Sequence, residues 1–222
     1  CCNFEILMKN NFIFIMYHHV RRNNEKFLPK LKSLKLSTFK RQLNYLQKKY
    51  RIVNYDDLID IIIYKKNFKK PLCCLTFDDG YKNHYEYVFP ELKKRNIQGF
   101  FFPPSKVVIE NKLIDPNKIH VLLASVKSVV ELNKYFEHLF YEHKIEKIIN
   151  LNFNELKVKY RKKFRFDNAD TIFFKRIFQH VLPNKVKHKL LDIMFKKFVK
   201  FEEKEIAKKL YLNISQIKEM ID

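Results

Sequence analysis

The chain has 222 residues, with 45 Lys+Arg against 24 Asp+Glu, a formal net charge of +21. At 46% hydrophobic and 15% aromatic it carries too many core-forming residues for a disordered protein, and two glycines are too few for collagen, Gly-rich linkers or a phosphate-binding loop. No apolar stretch reaches the roughly 18 residues that a membrane-spanning helix needs. The charge is spread evenly, +11 over residues 1–104 and +10 over 105–222. With no basic arm, the excess reads as a lysine-rich solvated surface, in a chain whose abundant Lys, Asn, Ile, Phe and Tyr all have A/T-rich codons. Four cysteines fall in two adjacent pairs, Cys1-Cys2 and Cys73-Cys74. Neighbouring cysteines rarely meet disulfide geometry, which favours a reducing compartment.

In chain order, residues 1–7 are expected to be a non-native or disordered leader, because Met8 opens a more natural start. The apolar run Phe12–Tyr17 reads as a buried strand, too short for a secretory signal. A polar loop, Val20–Lys35, leads to a helix with Ser37 as its cap and Phe39, Leu43, Leu46 and Tyr50 on one face. Arg51–Asn54 is a short strand. The helix from Tyr55 to about Lys65 has Asp56 and Asp57 in its first turn. Leu72–Phe77 is a second buried strand, ending in Asp78-Asp79-Gly80. Tyr81–Asn96 is a helix that Pro90 should kink or divide, and Ile97–Phe102 is a strand stopped by Pro103-Pro104. This alternation predicts parallel α/β structure. From Ile114 onward only helices are expected: Pro116–Ser125, Val126–Glu142, Ile145–Leu151, Asn154–Phe164, Ala169–Val181, Lys185–Val199, Glu202–Tyr211 and Ser215–Ile221. Asn213 with Gln216 has the spacing of a capping box.

Thr76-Phe77-Asp78-Asp79-Gly80 is the motif with chemical content. At the C-terminal end of a parallel strand, adjacent carboxylates leave the backbone in different directions and can divide labour. One can bind a cation through oxygen while the other accepts a proton from water. Taken alone, Asp-Asp-Gly is also an ordinary turn sequence.

Three further stretches flank it at matching order and spacing: Met16-Tyr17-His18-His19-Val20, Val88-Phe89-Pro90-Glu91-Leu92-Lys93-Lys94 and Gly99-Phe100-Phe101-Phe102-Pro103-Pro104. Together with Thr76–Gly80 they resemble the NodB-type polysaccharide deacetylases, carbohydrate esterase family four, over residues 12–104. The resemblance implies a metal-dependent hydrolase that removes acetyl groups from N- or O-acetylated sugars of a polysaccharide or glycan precursor. It assigns Asp78 as the general base and Asp79 as a metal ligand, with zinc the expected cation. In the implied mechanism the metal polarises the acetyl carbonyl and activates a water whose proton passes to Asp78. The implied fold is an irregular (β/α) barrel, truncated here, with residues 8–104 as its N-terminal part and 105–222 as a large all-helical insertion.

The family's second motif, two histidines that complete the metal site, has no counterpart after Gly80, nor do its later Arg, Asp-Trp and Leu-x-His motifs. His138 and His143 have a near spacing, but they sit in a charged helical stretch. A helix like Gln216–Met220 precedes the histidine motif in the family. The chain is therefore expected to be inactive alone, since one carboxylate holds a divalent metal poorly. The candidate site neighbours are His18 and His19 at the end of the first strand, His84 one turn after the motif, and His120 on an apolar helix. Each also has an ordinary reading as a structural histidine. Cys73 and Cys74 are expected to be inert packing residues. The expected partner is an acetylated glycan or lipid-linked sugar, in the cytoplasm, with peripheral membrane contact and no nucleic acid. The rival readings are a non-catalytic relative and a basic binding module for acidic glycan or nucleic acid. An open barrel should also expose apolar surface and self-associate.

Overall fold

The computed structural model describes residues 11–164 and 167–221, so the leader expected at 1–7 lies outside the described residues. Contacts divide the chain into two compact units. The first holds the described residues up to Glu25, Lys32–Lys112 and the residues from Lys204 onward; the second holds Lys26–Leu31 and Leu113–Glu203.

The first unit is built on a parallel sheet. Strand β1 (Phe12–Tyr17) pairs with β5 (Leu72–Asp78) in the register Phe12 to Leu72 through Tyr17 to Phe77. On the other side of β5, β4 (Arg51–Ile52) pairs with Leu72 and Cys73, and β6 (Phe100–Phe102) with Thr76 to Asp78. Two short segments, β2 (Val20–Arg21) and β3 (Leu34–Lys35), make a separate parallel pair inside the region expected to be a polar loop. Buried Val20 draws that loop into the core. Among the described residues the main sheet is four-stranded and open, and no closed barrel forms.

Alternation along the strands separates two faces. Tyr17, Cys73, Leu75 and Phe77 meet Phe39, Leu43 and Leu46 of α1 (Leu36–Lys49) and Leu92 of α3 (Phe89–Lys94). Gly99 is required here: a Cβ on it would come within 2.6 Å of the Phe77 ring and 2.8 Å of a Leu92 methyl. Leu72 and Cys74 face the other way and pack with Val53 and with Ile61 of α2 (Tyr55–Ile62). That cover does not reach the C-terminal half of the face, where Phe14 and Met16 are 56% and 60% exposed and Phe102 is exposed as well.

Three local differences have clear causes. Helix α1 begins one residue earlier than its expected cap, so Ser37 sits in the first turn and Lys35 occupies the cap position without a side-chain bond. A true capping box forms instead at α2, where Asn54 Oδ1 accepts from the Asp57 amide at 2.8 Å and Asp57 Oδ2 accepts from the Asn54 amide at 3.3 Å. Before Pro90 the helix widens into a π turn, His84–Val88, and then continues as α3. Proline has no N–H to give the carbonyl one α-turn back, so the wider turn absorbs the missing bond.

The second unit is helical. It contains α5 (Asp115–Ser125), α6 (Val129–Glu142), α7 (Ile145–Ile149), α8 (Phe153–Tyr160), α9 (Ala169–Arg176) with a following π turn Ile177–Val181, and α10 (Asn184–Phe198). Its core is a set of fully buried rings, Phe136, Phe140, Phe153, Phe173, Phe174 and Phe178. Buried Lys118 meets Asp192 and Glu203, each at 2.6 Å. Burial opposes its charge, but the two carboxylates outweigh that and hold its pKa above the ordinary lysine value. Helix α4 (Ser105–Glu110) and residues 204–221, which carry α11 (Glu203–Leu210) from its second residue and α12 (Ile214–Ile221), group with the sheet. The contact boundaries thus fall at 112/113 and 203/204, where the expected insertion ran from 105 to 222. Asn213 and Gln216 form the expected capping box at α12, with amide bonds of 3.1 and 2.8 Å.

Candidate functional site

Because the strands are parallel and in register, their C-terminal ends arrive together. Tyr17 lies opposite Phe77, and Asp78 opposite Phe102, so His18-His19, Asp78-Asp79 and Pro103 leave the sheet at one edge. Asp78 is the last residue of β5 and half-buried. By alternation it shares its face with Thr76 and Met16, the face left open at this end.

The chain then turns sharply. Asp79 and Gly80 are both left-handed, with φ of 69° and 64°. For Gly80 this is easy and also necessary, since a Cβ would stand 2.7 Å from the Pro103 Cβ. For Asp79 it stores strain on the order of 1 kcal/mol or more, of the kind that clusters at functional sites. The turn swings Asp79 out of the strand's alternation, so the two carboxylates project in different directions.

The histidines divide. His18 is exposed and His19 buried, as alternation at the end of β1 requires. The His19 ring stacks on Tyr81 with centroids 4.3 Å apart. His84 is fully buried among the rings of Phe77, Tyr81 and Phe101. Its Nε2 is bonded to the His18 carbonyl oxygen, which makes Nε2 the protonated nitrogen, while Nδ1 is buried without a partner. Burial pulls its pKa down to about 4, against the smaller upward pull of the carbonyl bond, so the ring is neutral at pH 7. His84 thus ties the end of β1 to the helix that follows the motif. His120 lies in the second unit, on α5, half-buried. His138 pairs with Glu142 at 3.5 Å, and His143 ends α6. Cys73 and Cys74 are free and buried, their thiol pKa values raised by burial to about 12 and about 11, which keeps them unreactive.

Sequence reasoning missed Tyr81, Tyr211 and Leu212. The Leu212 amide donates to the Gly80 carbonyl at 2.8 Å, and Tyr81 and Tyr211 form an antiparallel bridge with rings 6.0 Å apart. Only the aromatic character of Tyr81 and Tyr211 was available as a signal.

A catalytic zinc takes three protein ligands. Among the described residues no group of three His, Cys, Asp or Glu side chains is placed to hold a metal ion. The Asp78-Asp79 pair alone does not fit that requirement. No helix of the described residues is long and apolar enough to cross a membrane.

Comparison with known proteins places the motif in a family context. Residues 65–133 match the family model for polysaccharide deacetylase. Solved structures similar to the chain include a de-N-acetylase from Aggregatibacter actinomycetemcomitans, at 24% identity over 44% of this chain and 38% of that one, TM-score 0.38. IcaB from Ammonifex degensii is also 24% identical, over 51% of this chain and 48% of that one, TM-score 0.38. The polysaccharide deacetylase BC0361 from Bacillus cereus is 17% identical over 95% of this chain and 69% of that one, TM-score 0.34. The chain thus spans less than half the length of the first two. No curated protein matches it. The match to residues 65–133 covers the strand, the acidic turn and the following helix and strand, so the segment bearing Asp78 and Asp79 is similar to the polysaccharide deacetylases.

Proposed function

We propose that this protein works as a hydrolase removing acetyl groups from N- or O-acetylated sugars of a polysaccharide or glycan precursor. The supporting observation is the position of Asp78: inside the matched segment, at the C-terminal end of a buried parallel strand, on the open face of the sheet. Asp78 is assigned as the proton acceptor. As a water oxygen bonds to the acetyl carbon, its proton passes to the Asp78 carboxylate and the carbonyl oxygen takes the negative charge. Collapse of this tetrahedral species breaks the bond to the sugar nitrogen or oxygen. The proton on Asp78 returns to that leaving atom, releasing acetate.

Asp79 is assigned to a divalent cation, zinc by family expectation, which when bound would polarise the carbonyl. Two carboxylates do not make that site, so the steps above rest on the chain's own residues. The test is acetate release from oligomers of N- and O-acetylated hexosamine by the full natural gene product, with zinc supplied. Acetate should accumulate, and Asp78→Asn should lower kcat by about two to four orders of magnitude. No release from either class of oligomer, or full turnover by Asp78→Asn, would overturn the reading.

A further inference from the structure

We propose that Tyr211 and Leu212 are positioning residues for the Asp78-Asp79 turn, a strap from far downstream that holds the acidic motif in its left-handed geometry. The turn contains two consecutive left-handed residues, one of them not glycine. Such a conformation persists when the surroundings over-determine it. The surroundings here are specific. The Leu212 amide donates to Gly80 O at 2.8 Å, in the middle of the turn. Tyr211 bridges Tyr81 in antiparallel fashion, immediately after the turn. The Tyr211 ring stacks on Tyr81 with an interplanar angle of 28°, and Tyr81 stacks on His19 with one of 14°. The buried column His19–Tyr81–Tyr211 therefore runs from the end of β1 across the motif to the strap. A second tie lies beyond it, the Tyr85 hydroxyl donating to the Glu219 carboxylate of α12. Pro103 closes the remaining side of Gly80.

The strap touches the turn's backbone and Tyr81, so its action on chemistry is indirect: it sets the directions in which the two carboxylates leave the strand. Its effect on turnover rests on the deacetylase reading; its effect on the turn does not.

The experiment compares Tyr211→Ala and Tyr211→Phe in the full protein by amide hydrogen exchange and by steady-state acetate release. In Tyr211→Ala, the amides of Tyr81 and Leu212 should exchange about tenfold faster while Leu75 in β5 keeps its protection. The kcat should fall about tenfold or more with KM nearly unchanged, because a displaced catalytic group costs rate more than binding. Tyr211→Phe keeps the ring and should restore both. If the alanine variant does not fold, Tyr211→Leu is read in the same way. Local loosening in a protein whose wild type releases no acetate would support the strap while removing the deacetylase reading. Unchanged exchange at Leu212, exchange that rises equally in β5, or an unaffected kcat in an active enzyme would each overturn the strap.

Discussion

Burial leaves His84 neutral, with its pKa near 4 instead of 6.5. Between these values the unfolded chain binds a proton that the folded chain refuses. Stability contributed by the neutral ring is therefore present above pH 6.5 and lost as pH falls toward 4, by on the order of 3 kcal/mol. His84→Gln keeps a donor for the His18 carbonyl without the titration, so its melting temperature should depend less on pH across that window; an unchanged slope would show that other groups set it. At Gly80 two constraints act together, a φ of 64° and the 2.7 Å approach to Pro103. Gly80→Ala should cost about 1–3 kcal/mol in urea unfolding, whereas a neutral substitution would mean that the turn relaxes freely. The acidic pair alone reads equally as a turn; it was legible as candidate chemistry only together with the flanking stretches that resemble the deacetylases. The burial of His84 was not, since nothing in its local sequence says which rings will surround it.

Among the elements, the strands of the main sheet and most helices were legible from periodicity, whereas the short β2–β3 pair was not, because burial of Val20 in the core creates it; at the helix ends the differences come from local bonding. Ser37 has the right residue type for a cap, yet α1 starts before it. Asn54 caps α2 reciprocally with Asp57, which also accepts from Arg51 at 2.7 Å. Asn54→Ala should therefore cost about 1–2 kcal/mol, and Ser37→Ala less than about 0.5 kcal/mol. Equal losses in denaturant titrations would contradict this assignment. The interruption at Pro90 was expected from chemistry alone; that it takes the form of a π turn is seen only in the structure.

At the scale of the molecule, two units with separate cores predict unfolding in more than one step. Phe136→Ala removes a fully buried ring from the second unit and should lower that unit's transition by about 3–5 kcal/mol while leaving the sheet's transition in place. A single transition shifted as a whole would show the units to be coupled. The formal charge of +21 works against compactness. Raising salt from about 0.05 to 0.3 M screens that repulsion, and the melting temperature should rise. Exposed Phe14 and Met16 on β1 make an apolar strip beside the acidic turn. Concentration-dependent association in sedimentation should weaken in Met16→Lys, and a monomer at all concentrations would show that the strip is harmless.

By itself the sequence determined the strand–helix alternation, the helical second half, the inert cysteines and the acidic motif at the end of a buried strand. Those features are local: they follow from periodicity, from turn chemistry and from residue types a few positions apart. Only the tertiary structure decided that residues 204–221 belong with the sheet, that His84 is a buried tie to β1, and that Tyr211 and Leu212 hold the motif's turn. Such contacts join residues far apart in the chain. They form because parallel strands deliver their ends to one edge, where a strained turn must find its hydrogen bonds and stacking partners from whatever segment the fold brings back.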